Sequence, residues 1–256
     1  MLLSVLIPVY NERDTIGRVI AAVSTVLPTV DKEIVLVDDA SIDGTTVFLR
    51  ETLGSATGPY RSVRFREDSL FLEPAGETDP GTVRFHVGFH ESNRGKGAAV
   101  RTAMQAATGD VLVIQDADLE YDPKDWAQMY ALIAEKKVAD VVYGSRFYGR
   151  PHRSLFFHHF LANKLISFLF NLLYNQTLTD IEVCYKMFTR EVKESLALTA
   201  DDFGIEIELS GQIALNRKLR IYEVGISYYG RTYQEGKKIN WKDGVKALWY
   251  LVKYRF

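Results

Sequence analysis

The chain has 256 residues, 47% apolar and 25% charged, with a formal net charge of −2. This is the composition of a globule that can bury a sizeable core, and its slight acidity gives no support to nucleic-acid binding. The single cysteine, Cys184, excludes an intramolecular disulfide, and no uninterrupted apolar run reaches the roughly 18 residues of a membrane-spanning helix.

The opening M-L-L-S-V-L-I-P-V-Y lacks the basic start and cleavage site of a secretory leader and predicts a strand over Ser4–Val9. Ile16, Val19, Ile20, Val23 and Leu27 then recur at helical spacing. Glu33–Val37 predicts a second strand ending at Asp38-Asp39, and Ser41 and Asp43 follow as candidate helix caps, a role also open to Asp38. Between Leu53 and Thr82 the periodicity fails among Gly54, Gly58, Pro59, Pro74, Gly76, Pro80 and Gly81, which predicts a mobile surface insertion in preference to a functional lid. Val83–Val87 is the next strand, and the glycine-rich turn Asn93–Gly97 leads into a helix through Ala107. Val111–Gln115 is a further strand. Asp122-Pro123 opens a helix with an apolar face of Trp126, Met129, Tyr130 and Ile133, and Asp140–Gly144 is a short fifth strand. This alternation predicts an α/β fold, a mostly parallel sheet with helices on both faces.

Beyond residue 150 the pattern changes. Arg153–Asn175 is helical and apolar-rich, with Asn163, Ser167 and Asn171 four apart in a narrow polar stripe. Lys186–Thr189 and Leu219–Ser227 predict strands. Trp241–Phe256 sets Val245, Leu248, Trp249 and Val252 on one face and Lys242, Lys246, Lys253 and Arg255 elsewhere. A basic, aromatic, amphipathic helix of this kind suits a membrane surface.

The chemistry concentrates at V-L-V-I-Q-D-A-D-L-E, residues 111–120, where a buried strand breaks into Asp116, Asp118 and Glu120. Ligands of open α/β sheets collect at the carboxyl ends of strands. Three acids at alternate positions there offer hard oxygen ligands to Mg²⁺ or Mn²⁺, which commonly complete their shells with substrate phosphate. P-V-Y-N-E at 8–12 and V-D-D-A-S at 37–41 lie at two more strand ends of the same edge.

Together with N-R-G-K-G-A-A-V at 93–100, G-S-R at 144–146 and R-T-Y-Q-E-G-K-K at 231–238, these motifs resemble family 2 glycosyltransferases of GT-A fold, and within them the dolichyl-phosphate or polyprenyl-phosphate mannosyl- and glucosyltransferases. The resemblance implies a Rossmann-like sheet in one domain over 1–256. Residues 1–150 would be its nucleotide-sugar-binding half, and 151–256 an acceptor half with amphipathic helices at 153–175 and 241–256. It implies that Pro8, Tyr10, Glu12, Val37 and Asp39 line the nucleotide pocket, that Asp116 and Ala117 contact the sugar nucleotide, and that Asp118 and Glu120 join Asp116 in a metal set for Mg²⁺ or Mn²⁺. Lys96, at a helix start, would meet phosphate. Arg146 would face the sugar or acceptor phosphate, and Arg231 and Lys237 would form a basic lid over the diphosphate. Asp118, Arg146, Arg231 and Lys237 are thus the expected catalytic set.

The expected activity is an inverting hexose transfer from a GDP-mannose- or UDP-glucose-type donor to polyprenyl phosphate, in a cytoplasmic protein that can sit at the cytoplasmic membrane face. One alternative is a family 2 enzyme with a hydroxyl acceptor, for which Asp202 or Glu206 would be the base. A sugar-nucleotide-forming nucleotidyltransferase lacks support, because P-V-Y-N-E stands where its glycine-rich loop belongs. A catalytically silent sugar-nucleotide-binding protein is the remaining alternative.

Overall fold

The computed structural model describes residues 1–76, 78–149, 151–153, 156–232, 234 and 241–256, with the backbone alone at 241–243 and 245. Its strands are β1 (Leu3–Val9), β2 (Lys32–Asp38), β3 (Tyr60–Arg66), β4 (Ser69–Pro74), β5 (Val83–Phe89), β6 (Val111–Ile114), β7 (Val141–Ser145), β8 (Lys186–Thr189) and β9 (Ile221–Gly225). All belong to one sheet in the order β4-β3-β5-β2-β1-β6-β8-β7-β9. The centre, β5-β2-β1-β6, is parallel, as the alternating pattern predicts. The sheet as a whole is mixed: β8 runs antiparallel between β6 and β7, and β7 pairs parallel with β9. Every residue of β1, β2 and β6 is buried, as in strands covered on both faces.

The helices are α1 (Ile16–Thr25), α2 (Thr45–Leu53), α3 (Lys96–Ala106), α4 (Trp126–Tyr130), α5 (Phe157–Tyr174), α6 (Arg190–Ser195), α7 (Ile205–Leu215) and α8 (Trp241–Lys253). In register, Val9 lies opposite Asp38 and Leu6 opposite Ile114, so the carboxyl ends of β1, β2 and β6 share one edge. Asp122 caps the turn before α4, accepting from the Lys124 amide at 3.0 Å, with Pro123 at the first position.

The stretch from 54 to 82, expected as a mobile surface insertion, holds regular structure. Within it β3 and β4 form an antiparallel hairpin that extends the sheet beyond β5. Val63 is buried, and the Phe65 ring packs so closely on α1 that a Cβ on Gly17 would lie 2.3 Å from it. The hairpin turns at Glu67-Asp68, both at positive φ (45° and 59°).

Helix α5 has apolar side chains on both its buried and its exposed face. Its polar stripe faces inward: Asn171 donates to the Leu178 carbonyl (2.7 Å) and accepts from the Leu178 amide (3.0 Å), and Ser167 accepts from the Ile181 amide (3.3 Å). Ile166 and Phe170 are buried beside it, while a second set of large apolar side chains faces out, with Phe157 74%, Phe168 63% and Leu172 70% exposed, alongside Leu161 and Leu165. Helix α8 packs on α5 and α7 through Ala247 and Leu251 and leaves Leu248, Trp249 and Val252 outside. No helix among the described residues is long and apolar enough to cross a membrane.

Candidate active site

Three strand ends are tied together by short polar contacts. Asn11, in the left-handed region that asparagine tolerates (φ 52°), donates its amide to Ser41 Oγ (2.8 Å) and accepts from the Ile42 amide (2.8 Å). This joins the ends of β1 and β2. Thr15 Oγ1 donates to the Ala117 carbonyl (2.9 Å) and contacts Glu12 Oε2 (2.9 Å), which joins the end of β1 to the acidic segment after β6. Asp38 accepts from the Ser41 and Thr46 hydroxyls and so organises the start of α2.

The expected nucleotide-binding residues divide between wall and interior. Pro8 and Val37 are register partners buried in the sheet, whereas Tyr10 just beyond is 37% exposed at the edge. Asp39 is buried and accepts from the amides of Arg94 (2.9 Å) and Gly95 (2.7 Å), with His90 Nδ1 at 2.7 Å. It therefore shapes the loop before α3. That loop needs its glycines, since a Cβ at Gly95 would lie 2.4 Å from the Asp201 carbonyl oxygen, and one at Gly97 would lie 2.3 Å from that of Ala200. Gly95 also sits at φ 96°.

Held between those glycines, Lys96 points into a line of alternating charge. Its Nζ lies 2.7 Å from Asp116 and 3.0 Å from Glu206, and Glu206 in turn pairs with the fully buried Lys186. Burial works against ionisation of Asp116, but the Lys96 ammonium overrides it and holds the carboxyl below its ordinary range. Lys96 is thus committed to carboxylates rather than left open for phosphate. Two of the three residues in this line beside Asp116, Lys186 and Glu206, come from the half of the chain beyond residue 150.

Asp118 and Glu120 face a different cation. Arg231 Nη2 lies 2.7 Å from Asp118 Oδ2 and 3.3 Å from Glu12 Oε1, and its Nε lies 3.1 Å from Glu120 Oε1. The Arg231 amide and the Tyr228 hydroxyl also donate to Glu120, at 3.1 and 2.7 Å. Burial, reinforced by the charges of Asp116 and Glu120, pushes the Asp118 carboxyl up to about 7, and Arg231 offsets this only in part. As placed, no three His, Cys, Asp or Glu side chains among the described residues stand close enough to hold a metal. The donor set nonetheless fits a hard divalent cation: its ligands are carboxylate oxygens only.

Arg146, just past β7, is held on Asp180 by two side-chain bonds of 2.7 Å and by its own amide at 3.1 Å, and its guanidinium lies 5.4 Å from the centre of the Tyr228 ring. Lys237 lies outside the described residues. Asp202 and Glu206, the candidate bases, are both engaged. Asp202 accepts from the Gly204 amide (2.9 Å) and the Tyr250 hydroxyl (2.8 Å), while Glu206 sits between two ammonium groups. Sequence reasoning did not single out Tyr228, Lys186 or Glu182. Burial, and then the charges of Asp180 and Glu206, push Glu182 up to about 7 against the pull of Arg146. It sat in plain view in T-D-I-E-V-C-Y-K, but an acid between apolar neighbours carries no signal of its surroundings.

A parallel-centred sheet with an acidic cluster at the tip of one inner strand, loops of two others knotted beside it, and an arginine reaching in from beyond the last strand defines a GT-A fold. Solved structures of similar fold include glucosyl-3-phosphoglycerate synthase from Mycobacterium tuberculosis. One contains Mn²⁺, UDP and glucosyl-3-phosphoglycerate (TM-score 0.65, 18% identity, 98% of this chain and 79% of that one), and another Mg²⁺ and UDP (TM-score 0.63, 18% identity, 98% and 78%). The chain belongs to the family described as Glycosyl transferase family 2, which matches residues 4–69 and 72–196. It is 30% identical over 187 residues to glycosyltransferase AglJ of Haloferax volcanii (71% of this chain, 60% of that protein). It is also 29% identical over 234 residues to polyprenol monophosphomannose synthase of Mycolicibacterium smegmatis (89% and 77%), and 29% identical over 147 residues to dolichol-phosphate mannosyltransferase of Pyrococcus furiosus (57% and 34%). The matched regions thus span less than two thirds of the Haloferax and Pyrococcus proteins.

Proposed function

We propose that this glycosyltransferase moves a hexose, with inversion, from a nucleoside diphosphate sugar to a polyprenyl phosphate at a membrane surface. The observation that carries the acceptor is the exposed apolar face of helix α5. Its outer face offers hydrocarbon-compatible side chains, and its inner face binds the 178–181 segment, whose Asp180 grips Arg146. An acceptor with an anionic head and a long apolar tail matches that order: tail along α5, head toward Arg146. Helix α8 adds Trp249 and Val252 outside, with Lys253 beside Trp249 (5.0 Å to the ring centre), the amphipathic chemistry of an interfacial helix. The names of the Mycolicibacterium and Pyrococcus relatives point the same way.

On this reading Tyr10 stacks against the base, and Asp39 holds the pocket loop in place. Asp116, fixed by Lys96, faces the sugar nucleotide. Asp118 and Glu120 would hold Mg²⁺ or Mn²⁺, which when bound draws charge from the departing diphosphate. Arg231 stabilises the same charge, and Arg146 orients the acceptor. An acceptor phosphate is already an anion near neutrality, so it attacks the anomeric carbon without a base, consistent with the engagement of Asp202 and Glu206. One observation favours a hydroxyl acceptor instead: Glu182, close to neutrality in its pKa, could take a proton.

The test is a panel of GDP- and UDP-sugars with Mn²⁺ and either polyprenyl phosphate or hydroxyl acceptors. The expected result is a lipid-linked product that Asp118→Ala reduces at least 100-fold. Product only with hydroxyl acceptors would replace the polyprenyl reading, and turnover undiminished in chelator would remove the metal.

A further inference from the structure

Three carboxylates crowd one guanidinium at the tip of β6. Arg231 touches Asp118, Glu120 and Glu12 at once, and its backbone amide is fastened to Glu120 as well. Lys96 gives this cluster no help, since it is spent on Asp116 and Glu206. Arg231 therefore occupies the electrostatic centre that a divalent cation would occupy. The two compete there for the same carboxylates. Mg²⁺ sits about 2.0–2.1 Å from a carboxylate oxygen, and a guanidinium nitrogen already lies 2.7 Å from Asp118 Oδ2.

We propose that Arg231 is the resident counter-ion of the metal site, and that a divalent ion enters by exchanging with it while the donor's diphosphate takes over the guanidinium. The proposal rests on the nucleotide-sugar reading above. Metal alone must pull the fork of Arg231 off three carboxylates and leave it without a partner. Metal arriving with a nucleoside diphosphate faces a smaller cost, because a guanidinium binds phosphate and carboxylate with the same paired N–H geometry. Metal and nucleotide thus strengthen each other's binding, and the coupling is equal in both directions. The consequence is a site that does not load metal idly. The same arginine that closes the cluster before the donor arrives is delivered to the leaving group once it is present.

The test measures Mn²⁺ binding to the full chain by electron paramagnetic resonance, without turnover, in the absence and presence of saturating UDP or GDP. In the wild type the nucleotide should tighten Mn²⁺ at least tenfold. Arg231→Gln should bind Mn²⁺ alone at least tenfold more tightly than the wild type, and the gain from nucleotide should shrink correspondingly. Arg231→Lys, which keeps the charge but reaches fewer oxygens, should fall between them. Adding Asp118→Asn to the Arg231→Gln chain should remove the tight binding. Mn²⁺ affinity unchanged or weakened in both Arg231 variants, with nucleotide still bound, overturns the exchange and leaves the donor reading standing. If neither nucleotide binds any variant, the donor reading fails, and the proposed coupling fails with it.

Discussion

Glu182 feels the charges of two ion pairs, Arg146–Asp180 and Lys186–Glu206. Burial and the neighbouring acids raise its carboxyl from the ordinary 4.5 to about 7. A carboxyl whose folded pKa is raised contributes stability that is complete below its unfolded value and is lost as pH climbs through the folded value. Between about pH 4.5 and 7 the native state should therefore lose about 2 kcal/mol from this group, a figure reduced from the full shift because the side chain is partly open to water. Glu182→Gln removes the titration. Its urea midpoint should match the wild type at pH 4 and exceed it at pH 8, and parallel pH profiles would show that Glu182 is not under strain. Activity provides a second reading: a base for a hydroxyl acceptor cannot be replaced by glutamine, whereas transfer to a phosphate acceptor should survive the change.

At the scale of elements, α5 carries the argument about partners. A helix normally buries its apolar stripe and wets its polar one; α5 buries its polar stripe along with Ile166 and Phe170, because the 178–181 backbone, not water, satisfies Asn171 and Ser167, and it leaves a second apolar face in solvent. Phe168 and Leu172 contribute little to the fold from their exposed positions, so Phe168→Gln with Leu172→Gln should shift stability by no more than about 0.5 kcal/mol per site. The same pair should lose binding to anionic vesicles and raise KM for a long-chain polyprenyl phosphate while sparing a short, water-soluble acceptor. Vesicle binding unaltered by the double change would assign this face to something other than lipid. The stripe itself was legible in the sequence, but its direction was not: a period of 3.6 marks a face without saying whether protein or solvent lies on the other side. The β3–β4 hairpin was missed for a related reason. Glycines and prolines at its margins announced a loop, and the Glu67-Asp68 turn lacks the Asn-Gly or Asp-Gly pair that betrays a hairpin. The alternation of Val63 and Phe65 was the signal available, and it is short.

Over the whole molecule, what could be read in advance follows from which constraints are local. Strand ends rich in acids and turns between glycines are written in consecutive residues, so β1, β2 and β6 and their motifs stood out. The partners of Lys96, Arg231 and Arg146 come from segments far along the chain, and pairing at such range leaves no periodic trace. Those partners also bear on whether the chain is a single domain. β8, from beyond residue 150, is inserted between β6 and β7, and the charge line Asp116–Lys96–Glu206–Lys186 crosses the same boundary. Lys186 is fully buried, and removing one member of a buried pair strands the other's charge, at about 3–5 kcal/mol. Lys186→Met should therefore destabilise the chain by about that amount. It should also raise the donor KM, because Glu206 would compete harder for the ammonium that fixes Asp116. If residues 1–150 and 151–256 are one cooperative unit, hydrogen exchange in the variant should quicken together in β1 and β9, which lie on opposite sides of β8. Faster exchange confined to β9, with β1 as protected as before, would mean that the two halves unfold separately and that the sheet joins them without making them one domain.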